Sequence, residues 1–162
     1  MKGKNFMEVY FDNSATTKPY EDVAKTVCDT MLSSYANPSS LHRIGKQAED
    51  LLTSAREYIA STVKCTPKEL YFTGGGTEGD NLAIIGYALK NKKRGNKIIS
   101  QRTEHKAVLE CLSYLEKNGF EICYIDVDSR GIIDIDDLRT ELNDNTILVS
   151  IMYVNNETGA IM

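Results

Sequence analysis

Apolar positions divide this chain into a helical opening and an alternating remainder. Val23, Val27, Met31 and Tyr35 recur four apart and predict a helix over 20–35. It should stop near Asn37, because Pro38 pushes the residue before it out of the α region. Ile44, Ala48, Leu51, Ala55, Ile59 and Val63 trace one stripe of a longer helix over 43–64. From there the rhythm becomes strand and helix. The spacing predicts a short strand at 70–72, then a helix that buries Leu82, Ile85, Gly86 and Leu89. A strand follows at 97–100, and Val108, Cys111, Leu112 and Leu115 form the stripe of the next helix. Gly119 stands where a helix C′ glycine belongs. The pattern ends with a strand over 120–127, a short helix over 135–142 and the nearly all-apolar run 146–154, which suits a central strand covered on both faces.

Such alternation predicts an α/β fold: three layers, a mainly parallel sheet with helices on both faces. At 162 residues the chain suits one domain. Hydrophobic residues make up 41% and charged residues 26% of it, which is ordinary soluble globular composition. A formal net charge of −4 gives no footprint for nucleic acid. The one basic run, Lys90, Lys92, Lys93 and Arg94, falls at a predicted helix end, where it complements the dipole. No stretch has the length or apolarity of a signal sequence or a membrane span, so no membrane partner and a cytoplasmic location are expected. Cys28, Cys65, Cys111 and Cys123 lack paired or zinc-like spacing and are expected to be small buried hydrophobes, with no metal site.

Three polar loops follow predicted strands directly, at 74–79, 101–105 and 155–159. In a parallel sheet all three emerge at the carboxyl edge, where ligands bind. Gly74, Gly76 and Gly79 match the spacing of a dinucleotide fingerprint, but two helices precede them and the strand before them is short. No Lys-Ser/Thr pair follows, which excludes a nucleotide P-loop. Thr77 at the helix start offers a hydroxyl and an N–H to a phosphate, while Glu78 and Asp80 would favour the dipole with no ligand at all. His105 opens a helix, where the positive dipole end disfavours imidazolium. It suits stacking on an aromatic ring or moving protons, and equally capping its own helix. His42 reads as a structural or surface residue. Asn155 and Asn156 each offer an amide to a ligand or to the turn.

The segments YFDNSATT, NPSSLHRIG, LYFTGGGTEGDN, TEHKAVLECLSYLEKNGFEICYIDVDSRGIIDIDDL and TILVSIMYVNNETGAIM together resemble the cysteine desulfurases. These belong to the class V aminotransferase group of fold type I pyridoxal-phosphate enzymes. The resemblance runs through nearly the whole chain in the family's own order. It implies removal of sulfur from L-cysteine, leaving alanine and an enzyme persulfide, with sulfur passed on for iron–sulfur clusters or thiolation. It further implies pyridoxal 5′-phosphate as cofactor: Gly76 and Thr77 at its phosphate, His105 as the catalytic residue stacked on its ring, and Asn156 at the ring substituents. The family's sequence at Gly75 or Gly76 often carries a small side chain, so the extra glycines here leave a freer loop.

The same resemblance makes 1–19 an N-terminal arm and 20–162 the N-terminal half of the cofactor-binding large domain. The Schiff-base lysine, the aspartate for the pyridine nitrogen, the persulfide cysteine and the small domain have no counterpart in these 162 residues. Covalent cofactor attachment at the family position, and desulfuration by this chain alone, are therefore not expected. A homodimer or other self-association is expected, with a sulfur-acceptor scaffold protein as a further partner. The alternatives are a selenocysteine lyase or other class V aminotransferase, a dinucleotide-binding domain, and a non-catalytic interaction module.

Overall fold

The computed structural model describes residues 9–162, so residues 1–8 of the expected N-terminal arm lie outside the described residues. The chain forms two compact units that meet in sequence between Phe72 and Thr73.

The first unit is helical. α1 (Glu21–Ser33) buries none of its residues, and Val23, Val27 and Met31 are exposed. Cys28 is exposed with them, against the expectation of a buried thiol. A stripe at helical spacing marks a face fit to be buried, but a partner surface decides whether it is. α2 (Arg43–Thr62) buries Gly45, Ala48 and Ala60, whereas Ile44, Leu51 and Ile59 remain exposed. His42 caps this helix, its Nδ1 accepting from the Gly45 N–H at 3.2 Å. The preceding loop lies so close that a Cβ on Gly45 would come within 2.8 Å of the Ser40 Cβ. Leu70 is extended, yet residues 70–72 belong to no strand. A strand needs a neighbour for its ladder, and the described residues supply none there. Arg56 instead donates to the Leu70 carbonyl and lies 4.7 Å from the centre of the Phe72 ring.

The second unit holds a three-stranded parallel sheet of order β2-β1-β3: β1 (Lys97–Gln101), β2 (Glu121–Ile125) and β3 (Thr146–Val149). Ile98 pairs with Ile122 and Leu148, and Ile99 with Cys123 and Val149. Successive side chains face opposite layers. Ile98 joins a cluster with Ile84, Ala88, Val108, Leu112, Leu115 and Phe120, whereas Ile99 joins Ile125 and Ile133 on the other face. α5 (Lys106–Lys117) covers the first face with all four predicted residues buried. Gly119 follows α5 with φ +86°, the left-handed turn that glycine adopts at least cost. α6 (Ile135–Glu141) lies against β2 and lends Leu138 to the second face.

Two expectations are corrected here. The central strand is β1, every residue of it buried, and the apolar run at 146–154 gives only the short outer strand β3. Position in the sheet, not hydropathy, sets burial, because β1 has a neighbour on each side. Beyond the glycines, α3 (Gly76–Asp80) passes through a π turn (Asn81–Ile85) into α4 (Gly86–Asn91). Burial falls on Ile84 and Ala88, while Leu82 and Leu89 are exposed. The π turn carries bonds of longer reach and breaks the 3.6-residue period from which that face was read.

Candidate functional site

The site lies within the second unit, where the loop after β1 and the start of α5 meet the start of the 76–91 helical stretch, and the loop after β3 is tied to the loop after β1. The first helical bond of that stretch runs from the Gly79 N–H to the Gly75 carbonyl at 3.1 Å. The N–H groups of Gly76, Thr77 and Glu78 therefore precede the ladder and have no acceptor among the described residues. A Cβ built on Gly75 or Gly76 would meet nothing within 4 Å, so the space above the turn is open. The Thr77 hydroxyl has no partner among the described residues, and the Thr77 carbonyl accepts from the Asn81 amide at 2.7 Å. Glu78 folds back so that its Oε2 accepts from the Gly74 N–H at 2.5 Å, bracing the loop from inside the helix.

His105 is the N-cap of α5, its Nδ1 accepting from the Ala107 N–H at 3.1 Å. Capping and ligand contact, alternatives in the sequence, are compatible in space. An accepting Nδ1 leaves the ring hydrogen on Nε2, the nitrogen free to meet a ligand. Thr77 and His105 line one shallow cavity of about 280 Å³ together with Asn81, Lys106, Ala107 and Glu110. Gly76 adjoins this cavity through Thr77, and Asn156 is not among its lining residues.

The two asparagines divide their work. Asn155 is buried, and its Oδ1 accepts from the Glu157 and Thr158 N–H groups at 2.9 and 3.0 Å. Its Nδ2 donates to the Thr103 carbonyl at 3.2 Å and lies 3.3 Å from the Met152 sulfur. Asn156 is exposed, with no side-chain hydrogen bond among the described residues. Asn155 thus ties the third loop to the second and leaves the Asn156 amide to solvent.

Sequence reasoning missed Glu104. Placed beside His105 in a polar loop, it reads as a solvated carboxylate, yet it is only 8% exposed. It accepts from the Met152 N–H and from the Gln101 Nε2 at 3.4 Å. Burial pushes its carboxyl above the usual carboxylate range, against the pull of the Met152, Gln101 and His105 N–H groups. None of this is legible without knowing that β1 and β3 are neighbours.

None of the cysteines lines the cavity. Cys111 is buried in the α5 core, where desolvation pushes its thiol up, as expected of a small hydrophobe. Cys123 is half-buried, and burial raises its thiol too, followed by its hydrogen bond to Glu141. Among the described residues no cluster of three or more His, Cys, Asp or Glu side chains is arranged to hold a metal ion.

The sequence profile described as aminotransferase class-V matches residues 9–162. The chain belongs to that family. Among curated class-V relatives it is 46% identical over 158 residues to a protein named cysteine desulfurase IscS from Pseudoalteromonas translucida (strain TAC 125), covering 96% of this chain and 39% of that protein. It is 44% identical over 153 residues to one of the same name from Methanosarcina thermophila, covering 94% and 38%. Among solved structures, a NifS-like protein superposes with a TM-score of 0.92 at 40% identity, over 96% of this chain and 43% of that one. A structure described as SspA in complex with cysteine gives 0.87 at 36% identity, over 94% and 44%. The chain spans about two-fifths of the length of the curated relatives it matches.

Class-V membership implies pyridoxal phosphate, and the donor set suits one part of that molecule. Three free N–H groups, the Thr77 hydroxyl and open space over two glycines fit a phosphate monoester. The exposed His105 ring beside Thr77 in one cavity fits a flat aromatic group attached to that phosphate.

Proposed function

We propose that this chain supplies the phosphate cup and one ring face of a pyridoxal-phosphate site acting on L-cysteine, as in a cysteine desulfurase. The observation that carries the reading is the meeting of Thr77 and His105 in one cavity at the mouth of the glycine turn. When bound, the cofactor supplies an electron sink for the substrate's α-carbon bonds. The chain's own residues bind and orient. Gly76 and Thr77 hold the phosphate, His105 stacks on the ring and moves a proton through Nε2, and Asn156 contacts the ring substituents. L-Cysteine as substrate is supported by the names of the relatives and by the cysteine-bound SspA structure. The proposal places the reaction in the cytoplasm, with sulfur passed to an acceptor scaffold. A second copy of the chain is the proposed cover for exposed Val23, Val27 and Met31.

The test is a titration of the chain with pyridoxal 5′-phosphate, pyridoxal and NAD, followed by absorbance and thermal shift. Pyridoxal 5′-phosphate should bind and stabilise, pyridoxal should bind at least tenfold more weakly, and NAD should do nothing. Thr77→Ala should weaken pyridoxal 5′-phosphate by roughly tenfold or more, since a hydrogen bond to a charged group contributes about 1.5–3 kcal/mol. Stabilisation by NAD alone, or equal affinity for pyridoxal, would sink the reading.

A further inference from the structure

We propose that Glu104 is a positioning residue, a buried clamp that fixes the His105 loop against the segment leading to Asn156. The two loops leave β1 and β3, neighbours in the sheet although Ile98 and its partner Leu148 lie far apart in sequence. Parallel pairing ends early: Ile99 is opposite Val149, and the Ser150 N–H still donates to the Ile99 carbonyl at 2.9 Å. Beyond that point backbone pairing between the two segments stops, and side chains take over. The Ser100 hydroxyl donates to the Ser150 carbonyl at 2.8 Å, and Ile151 packs against the Ile99, Ile125 and Ile133 cluster. Past Ile151, two further side chains join the loops. Asn155 Nδ2 reaches back to the Thr103 carbonyl at 3.2 Å. Glu104 reaches forward, its Oε1 accepting from the Met152 N–H.

Glu104 differs from an incidental buried acid in three respects. It immediately precedes His105, the N-cap of α5, so holding Glu104 in place holds the chain entering that cap. Its carboxylate accepts both across the loops, from Met152, and within its own loop, from Gln101 at 3.4 Å. It is 8% exposed, so water does not compete for these bonds as it would at the surface. Removing the carboxylate leaves the Met152 N–H without its partner and loosens the segment that carries Asn155 and Asn156, with the Asn155 bond to the Thr103 carbonyl still in place. The clamp itself is a matter of this chain's geometry. Its consequence for affinity rests on the cofactor reading above, because that reading places His105 and Asn156 on one ring.

Three variants separate the possibilities: E104A removes the acceptor, E104Q keeps a neutral acceptor of the same length, and E104D keeps the charge but withdraws it by one methylene. Amide hydrogen exchange is read first, without cofactor. Exchange at the Met152 and Asn155 N–H groups should rise on the order of tenfold or more in E104A and E104D, with α5 amides unchanged, and return to within about threefold of wild type in E104Q. Unchanged exchange at Met152 in E104A overturns the clamp whether or not cofactor binds. Should E104A not fold, the same comparison in E104D decides the question.

Affinity for pyridoxal 5′-phosphate is read second. E104A should bind on the order of tenfold more weakly and E104Q within about threefold of wild type. Loosened exchange with undiminished affinity in E104A overturns the positioning role. Failure of the wild-type chain to bind pyridoxal 5′-phosphate would refute the cofactor reading, and exchange would then decide the clamp alone.

Discussion

Asn155 and Asn156 are adjacent and chemically identical, and the structure predicts opposite consequences for replacing them. Asn155→Ala removes two acceptor bonds from the Glu157 and Thr158 N–H groups and one donor bond to the Thr103 carbonyl. At about 0.5–1.5 kcal/mol for each of these three neutral hydrogen bonds, the loss comes to about 1.5–4.5 kcal/mol. Asn156→Ala removes an exposed amide with no intramolecular bond among the described residues, so stability should move by less than about 0.5 kcal/mol. Ligand binding should split the other way, with Asn156→Ala weakening pyridoxal 5′-phosphate in a fold of unchanged stability. The assay is urea denaturation of both variants followed by circular dichroism, with a cofactor titration on each under native conditions. Equal destabilisation by the two substitutions would refute the division of labour. So would an Asn155→Ala chain as stable as wild type.

Other expectations follow from the packing. Gly95→Ala should destabilise by about 1–3 kcal/mol, read as a lower denaturation midpoint. Its methyl would come within 2.8 Å of the Asn145 carbonyl carbon, on the turn that meets the start of β1. Leu112→Ala, fully buried in the α5 core, should cost about 2–5 kcal/mol, and a loss below about 1 kcal/mol in the same assay would contradict the described packing. Lys97 meets Glu141 at 2.6 Å, which raises the lysine above its ordinary 10.5 and lowers the glutamate below 4.5. The pair's contribution should be whole between those two pH values, lost as pH falls through the lowered Glu141 value and lost again as pH rises through the raised Lys97 value. Lys97→Met should flatten both limbs of a melting-temperature profile. Glu104 has the opposite sign for a carboxylate. Burial foremost, and Asp80 nearby, raise it, so its contribution is full below 4.5 and declines as pH rises through the raised value, a slope that Glu104→Gln should remove.

The helices of this protein were legible because each carries its own period. α5 is the clearest case, with Val108, Cys111, Leu112 and Leu115 on one stripe and Gly119 closing the end, all local signals. The 76–91 stretch was legible as a helix but not in its buried face, because a π turn shifts the phase and leaves no mark in hydropathy. Residues 70–72 looked like a strand by composition, but a ladder requires a second chain segment that local sequence does not name. His105 and Thr77 were legible as candidates because unusual residue types stood at helix starts. Glu104 was not, since nothing local separates a buried carboxylate from a solvated one.

By itself the sequence determined which segments are helical or extended, the three polar loops, and the residue types that a phosphate and a flat ring would need. It also determined the family, because those motifs recur in order across nearly the whole chain. Only the tertiary structure decided that Lys97-Ile98-Ile99-Ser100-Gln101 is the central strand, that Asn155 turns inward while Asn156 stays exposed, and that Glu104 crosses from one loop to the next. The reason is the same in each case. Periodicity and propensity act over a few residues, whereas strand order, burial of a polar group and its hydrogen-bond partners depend on segments some fifty residues away, brought adjacent by parallel pairing.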